Sequence, residues 1–92
     1  MKEIEIIVKG IVQGVGYRYF VYTVANELCL TGYVHNNLDG SVTVVVEGNE
    51  EKVNELIKRL KKGNTRSLVS DIIVTEKEYT NRFNSFEILY KY

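Results

Sequence analysis

The sequence predicts an α/β (α+β) sandwich in which two helices pack on one face of a four- to five-stranded, mostly antiparallel sheet. Apolar residues recur at every second position in several segments, which is the spacing of half-buried strands, and at helical spacing in two others. These segments follow one another in the order β-α-β-β-α-β, with one further strand segment at the end. No repeat or linker interrupts them, so we expect residues 1–92 to form a single domain.

The first half of the chain contains a strand, a helix and a hairpin. Residues 3–12 alternate between apolar and polar side chains, and from Tyr17 the apolar residues take helical spacing. Gly32 is expected to end this helix, because glycine is the usual residue just beyond a helix. Residues 33–38 and 41–48 flank an Asp-Gly pair, which predicts a β-hairpin with a two-residue turn.

The second half contains a helix and two strands. Asn49 is a favourable N-cap, and an apolar stripe at helical spacing runs from there to Gly63. Residues 68–78 are rich in Val and Ile, and an alternating strand begins at Phe86. With the first half, these segments predict a ferredoxin-like β-α-β-β-α-β sandwich.

Composition limits the partners and the compartment. Twelve basic and twelve acidic residues cancel, which argues against nucleic acid or an anionic membrane as a partner. Cys29 stands alone, so an internal disulfide is excluded and a reducing compartment fits best. The N-terminus lacks a signal-peptide pattern, and no apolar run approaches the roughly 20 residues of a membrane span. We expect a cytoplasmic protein, monomeric by default.

The junction between the first strand and the first helix is rich in glycine and ends at Arg18. Glycines at such a junction allow several backbone N–H groups to converge, and the helix N-terminus adds free donors and partial positive charge. Arg18 adds a planar, permanently charged group for phosphate oxygens. The junction therefore predicts a phosphate site, with Gly14 and Gly16 in its loop.

Asn36 is the candidate for chemistry beside this loop. If the first strand is central, the strand that begins at Tyr33 runs beside it and brings Asn36 close. An amide can orient a water molecule and stays uncharged beside a phosphate. No nucleophilic triad, carboxylate pair or metal-ligand set is evident, so an enzyme here would act by positioning and electrostatics, without a metal or cofactor.

Two stretches closely resemble the paired signatures of the acylphosphatase family. The first is Gly10-x-Val12-Gln13-Gly14-Val15-x-Tyr17-Arg18, and the second is Gly32-Tyr33-Val34-His35-Asn36, followed by Gly40-x-Val42 and Gly48. The terminal Phe86-x-Ile88 and the element order also match, so the resemblance covers essentially the whole chain.

The resemblance implies a metal-independent hydrolase that cleaves the carboxyl–phosphate anhydride bond of small acyl phosphates to a carboxylate and inorganic phosphate. It implies two catalytic residues, Arg18, which grips the phosphate, and Asn36, which holds the attacking water. The phosphate-binding loop that it implies consists of Gln13, Gly14, Val15, Gly16, Tyr17 and Arg18. The alternative is a non-catalytic, phosphate-binding regulatory module of the same fold.

The chain departs from the family pattern at two places. His35 stands where the family usually has another polar or basic residue, and alternation predicts that it is an exposed strand residue pointing away from Asn36. Residues 63–69 replace a segment that is often proline-rich, and the chain has no proline. Nothing outside the phosphate site suggests a selective acyl pocket, so we expect broad substrate tolerance.

Overall fold

Five strands and two helices make up the computed structural model, which describes residues 1–90. The predicted order of elements and the ferredoxin-like sandwich are confirmed. The elements are β1 (Lys2–Ile11), α1 (Tyr17–Glu27), β2 (Thr31–Asn36), β3 (Val42–Gly48), α2 (Glu50–Lys62), β4 (Leu68–Lys77) and β5 (Phe86–Leu89). No helix among residues 1–90 is both long enough and apolar enough to cross a membrane.

The strands form one mixed sheet in the order β4-β1-β3-β2-β5. All neighbours pair antiparallel except β2 and β5, which pair in parallel. The expectation that the strand beginning near Tyr33 runs beside the first strand is wrong, because β3 pairs with both and separates them. Since β1 and β2 are each antiparallel to β3, they run in the same direction and their carboxyl ends share one edge of the sheet.

The core lies between the sheet and the two helices. Alternate residues of the central strands point towards the helices, and each buried aliphatic side chain contributes about 1.5–3 kcal/mol. The fully buried residues that fill this layer include Ile6, Val8, Val44, Val46, Val21, Leu56 and Leu60. This packing fixes α1 and α2 against the sheet and so fixes the edge where β1 passes into α1.

The first helix ends earlier than the sequence predicts. It stops at Glu27, and the residue in the left-handed conformation just beyond it is Cys29, with φ 58°, instead of Gly32. The Leu30 N–H donates to the Ala25 carbonyl and closes this helix end. Gly32 lies inside β2 with φ 142°, where a Cβ would overlap the carbonyl of the facing strand. Close strand packing is thus the reason for this glycine.

The hairpin turn is longer than predicted. The strands end at Asn36 and resume at Val42, so the connection is not the expected two-residue turn. The Asp39 carboxylate accepts hydrogen bonds from the Ser41 N–H at 3.0 Å and from its hydroxyl at 2.6 Å. The Asn37 side chain also donates to the Ser41 hydroxyl, at 2.9 Å. These side-chain bonds compete with strand pairing and hold residues 37–41 as a loop.

The loop between β4 and β5 covers one end of the sheet face that carries no helix. In this loop the Arg82 guanidinium forms two hydrogen bonds with Glu3, at 2.9 and 3.1 Å. The backbone N–H groups of Arg82 and Phe83 donate to the buried Glu47 carboxylate. The guanidinium holds the pKa of Glu3 below its usual range. The ion pair between Arg82 and Glu3 therefore holds this loop against β1.

Candidate active site

A pocket of about 150 Å³ lies at the sheet edge where the carboxyl ends of β1, β2 and β5 meet the start of α1. Its lining consists of Val12, Gly14, Gly16, Tyr17, Arg18, Tyr19, Asn36, Ile88 and Tyr90. No carboxylate of residues 1–90 lines it. The structure thus brings the glycine loop, Arg18 and Asn36 together in a site that is neutral or cationic.

Two glycines shape the loop that forms one side of the pocket. Gly14 and Gly16 have φ of 72° and 74°, the left-handed region in which side chains are strained. Apart from Gly14 and its two neighbours in the chain, no heavy atom among residues 1–90 lies within 4 Å of a Cβ built on Gly14, so conformation, and not space, requires a glycine there. Left-handed residues on either side of Val15 allow successive backbone N–H groups to converge, and such concave groups of donors bind anions.

The N-terminus of α1 leaves its first donors free. Gly16 occupies the N-cap position, provides no side-chain cap, and no acidic residue lies in the first turn. In α2, by contrast, the Asn49 side chain accepts from the Glu51 N–H at 2.9 Å. The first N–H groups of a helix have no partner within it, so those of α1 are available to an anion in the adjacent pocket.

Arg18 is held over the pocket by the end of β5. Its Nη1 donates to the Leu89 carbonyl at 3.4 Å, a long hydrogen bond, and its guanidinium carbon lies 4.7 Å from the centre of the Tyr90 ring. The aromatic contact is a cation–π interaction. These contacts leave further N–H groups of the guanidinium for phosphate oxygens. The contact of Tyr90 with Arg18 was not predicted, because alternation along a terminal strand does not indicate which distant side chains the strand contacts.

Gln13 connects the glycine loop to the hairpin that carries Asn36. Its Nε2 donates to the Asn37 carbonyl at 2.7 Å and to the Ser41 carbonyl at 2.8 Å. This bridge reaches the hairpin loop between β2 and β3, and it explains how Asn36 lies at the glycine loop although β1 and β2 are not neighbours. The Gln13 side chain is therefore used in holding the loop, outside the pocket lining.

Val15 and Tyr17 are loop residues whose side chains pack in the protein. Val15 packs against the core, and its carbonyl accepts a hydrogen bond from Asn64 Nδ2 at 2.9 Å. Tyr17 is buried, and its hydroxyl donates to the Leu60 carbonyl of α2 at 2.9 Å. Burial raises the pKa of this phenol, which keeps it a neutral donor. Both residues thus fasten the loop from behind.

Asn36 presents an acceptor that is not used. Its Oδ1 is buried and has no hydrogen-bond partner among residues 1–90. Asn36 is the last residue of β2 and lies on the same sheet face as buried Val34, the face that carries the helices. An unpaired buried amide oxygen costs free energy, so its position beside the anion donors indicates a function.

His35 lies on the other face of the sheet. Its ring stacks on Tyr33 with 5.8 Å between the ring centres, and it is half-buried instead of exposed. Alternation along β2 separates it from the pocket, as predicted. Among residues 1–90, no group of three His, Cys, Asp or Glu side chains is arranged to hold a metal ion.

The fold and the pocket indicate a class of protein, a small α/β sandwich with a pocket suited to a phosphate-like anion at one edge of its sheet. Comparison with known proteins narrows this class. Residues 4–88 match the family model described as Acylphosphatase. The chain is 48% identical over 88 residues to an acylphosphatase of Caldivirga maquilingensis, which covers 95% of this chain and 93% of that protein.

Further relatives agree with this match. An acylphosphatase of Bacillus licheniformis is 43% identical over 98% of this chain and 100% of its own length. The crystal structure of acylphosphatase from Bacillus subtilis superposes with a TM-score of 0.94 at 41% identity, covering 98% of this chain and 100% of that one. The chain belongs to the acylphosphatase family, and it is an enzyme of the hydrolase class. The resemblance found in its two signatures is confirmed.

Proposed function

We propose that this enzyme hydrolyses the carboxyl–phosphate anhydride bond of small acyl phosphates by direct attack of water. The phosphate oxygens accept hydrogen bonds from the backbone N–H groups of residues 14–18 and from the Arg18 guanidinium. The attacking water donates a hydrogen bond to Asn36 Oδ1. The observation that carries the proposal is that Asn36 lines the same pocket as these donors, while its buried Oδ1 has no hydrogen-bond partner among residues 1–90.

The reaction balances without a general base on the protein. The water oxygen forms a bond to phosphorus, the bond from phosphorus to the acyl oxygen breaks, and the carboxylate leaves with the electron pair. The water proton passes to a phosphate oxygen. A carboxylate is a good leaving group, so catalysis consists of positioning and of stabilising charge on the phosphoryl oxygens. A carboxylate base in the pocket would instead repel the substrate.

The test is steady-state hydrolysis of benzoyl phosphate by the purified protein, followed by the loss of its ultraviolet absorbance. We expect turnover well above the uncatalysed rate, competitive inhibition by inorganic phosphate, and no change when a chelator is added. The proposed hydrolytic mechanism is wrong if no turnover is observed. Phosphate binding without turnover would favour the non-catalytic regulatory module, and loss of activity with the chelator would contradict metal independence.

The proposed setting is the cytoplasm, and the proposed state is a monomer without a nucleic-acid partner. The single, exposed Cys29 and the balanced charge of the chain support this setting. Size-exclusion chromatography with light scattering at micromolar concentration tests the oligomeric state, for which we expect one species of 10.6 kDa.

A further inference from the structure

We infer that Asn64 is a positioning residue that aims the Gly16 N–H into the phosphate pocket. This inference rests on the proposed function. Asn64 lies in the segment after α2 that departs from the family pattern, and no contact of that segment with the phosphate loop follows from the sequence. In the structure this segment reaches the phosphate loop, since Asn64 Nδ2 donates to the Val15 carbonyl at 2.9 Å.

The geometry of the peptide bond connects this contact to the pocket. The peptide between Val15 and Gly16 is trans, so its C=O and N–H groups point in opposite directions. Asn64 is not part of the pocket lining, whereas Gly16 is. A carbonyl drawn towards Asn64 therefore turns the Gly16 N–H away from Asn64 and towards the pocket side of the loop.

The loop needs an outside contact to hold this orientation. Gly14 and Gly16 flank Val15, and glycine backbones rotate more freely than any other. Rotation of the peptide between Val15 and Gly16 would remove a donor and point a carbonyl oxygen at the phosphate. The hydrogen bond from Asn64 opposes that rotation, and so do the half-buried side chain of Val15 and the helix that begins at Tyr17.

Asn64 is itself held in a fixed turn. Its N–H donates to the Ser67 hydroxyl at 3.0 Å, and the Ser67 N–H donates to the Asn64 carbonyl at 3.2 Å. The turn follows directly on the Gly63 N–H bond to the Arg59 carbonyl, which closes α2. The loop therefore rests, through one side chain, on the end of a packed helix.

Only the Nδ2 group of the Asn64 side chain has a hydrogen-bond partner among residues 1–90. Asn64 Oδ1 is buried and has no partner among residues 1–90. An unpaired buried oxygen costs stability, so what the protein gains from this amide is its donor to the loop. The turn itself uses only the backbone groups of Asn64 and the Ser67 hydroxyl, so it does not need the Asn64 side chain. The side chain therefore serves the contact with the loop.

The experiment compares Asn64→Ala and Asn64→Asp with the wild-type full chain. In Asn64→Ala we expect KM for benzoyl phosphate and the inhibition constant of inorganic phosphate to rise together, by about tenfold, with kcat changed less than about threefold. Asn64→Asp keeps the shape, loses the donor and adds a negative charge, so both constants should rise further. In amide-resolved NMR, the shift of the Gly16 N–H on phosphate addition should shrink in Asn64→Ala.

Asn49→Ala is the matched control. It removes the N-cap at the far end of α2, which destabilises the helix, and it touches no loop residue. We expect it to lower the melting temperature and leave KM and the phosphate constant unchanged. The inference is overturned if Asn64→Ala keeps both constants within twofold of wild type, or if Asn49→Ala raises them equally.

The NMR titration with inorganic phosphate separates this inference from the proposed function. If the wild type binds phosphate but does not hydrolyse benzoyl phosphate, the hydrolytic mechanism fails, and Asn64 is still judged by the phosphate dissociation constant. A tenfold weaker phosphate complex in Asn64→Ala then supports the inference, and an unchanged one overturns it. A wild type that does not bind phosphate overturns both.

Discussion

Replacing Asn36 by alanine is expected to separate catalysis from stability. The Oδ1 atom of Asn36 is buried without a partner among residues 1–90, and such a group costs about 1–3 kcal/mol. Its removal should therefore leave the free energy of unfolding unchanged or raise it by about 1 kcal/mol. The same change removes the acceptor that orients the attacking water, so kcat should fall by about 10²–10³, or 2.7–4 kcal/mol of transition-state stabilisation.

The assay pairs steady-state kinetics on benzoyl phosphate with urea unfolding of the same preparations. KM and the inhibition constant of inorganic phosphate should change little, because the loop and Arg18 still hold the phosphate. Asn36→Asp extends the series. It keeps the size of the side chain and places a negative charge beside the phosphate, so it should raise KM as well as lower kcat.

The adjacent Asn37 provides a matched control. Its side chain donates to the Ser41 hydroxyl at 2.9 Å and to the Thr43 hydroxyl at 2.8 Å, and it does not line the pocket. Asn37→Ala should lower the free energy of unfolding by about 1–2 kcal/mol and keep most of kcat. If Asn36→Ala retained most of its kcat, or lost stability as Asn37→Ala does, the water-positioning role would be refuted.

Three further predictions concern other parts of the chain. Arg18→Ala should lower kcat/KM by about 10- to 100-fold through loss of a charged hydrogen bond, and Arg18→Lys should recover little of it in steady-state assays, because an ammonium lacks the planar fork. Cys29→Gly should raise stability in thermal melts by about 0.5–1 kcal/mol, since Cys29 has φ 58°, and a lower melting temperature would contradict this. Arg82 lowers the pKa of Glu3, so this ion pair stabilises the folded state at pH values above the unfolded pKa of about 4.3. That stability is lost as the pH falls through the folded pKa. Acid titration of unfolding should therefore show a smaller loss of stability in Arg82→Leu than in the wild type.

Most of the fold was predictable because its signals are local. Alternation, helical spacing, the Asp-Gly turn and the Val and Ile content of residues 68–78 located the seven elements of residues 1–90, and the two signatures indicated the family. The errors occurred where side chains decided the backbone. Cys29 ended α1 in place of Gly32, and the side chains of Asn37 and Asp39 widened the hairpin turn. Residue propensities give the average outcome, and these positions depart from it because specific hydrogen bonds compensate the local cost.

The arrangement around the site was only partly visible in the sequence. Gly14, Gly16, Arg18 and Asn36 were predicted to lie together, and the structure places all four around one pocket. The reason given for it, that β2 runs beside β1, was wrong. Whether β1 and β2 lie side by side or have β3 between them depends on how the connection between them crosses the sheet. No single segment of the sequence carries that information.

The sequence by itself determined the element order, the glycine positions that the loop conformation requires, and the residue types offered to a phosphate, because each depends on neighbours along the chain. The tertiary structure alone decided what supports them: Gln13 on the hairpin, Tyr90 against Arg18, and Asn64 on the Val15 carbonyl. These contacts join residues that are 24 or more positions apart. They form only when the packed sheet and helices bring distant backbone carbonyls and side chains within hydrogen-bonding distance.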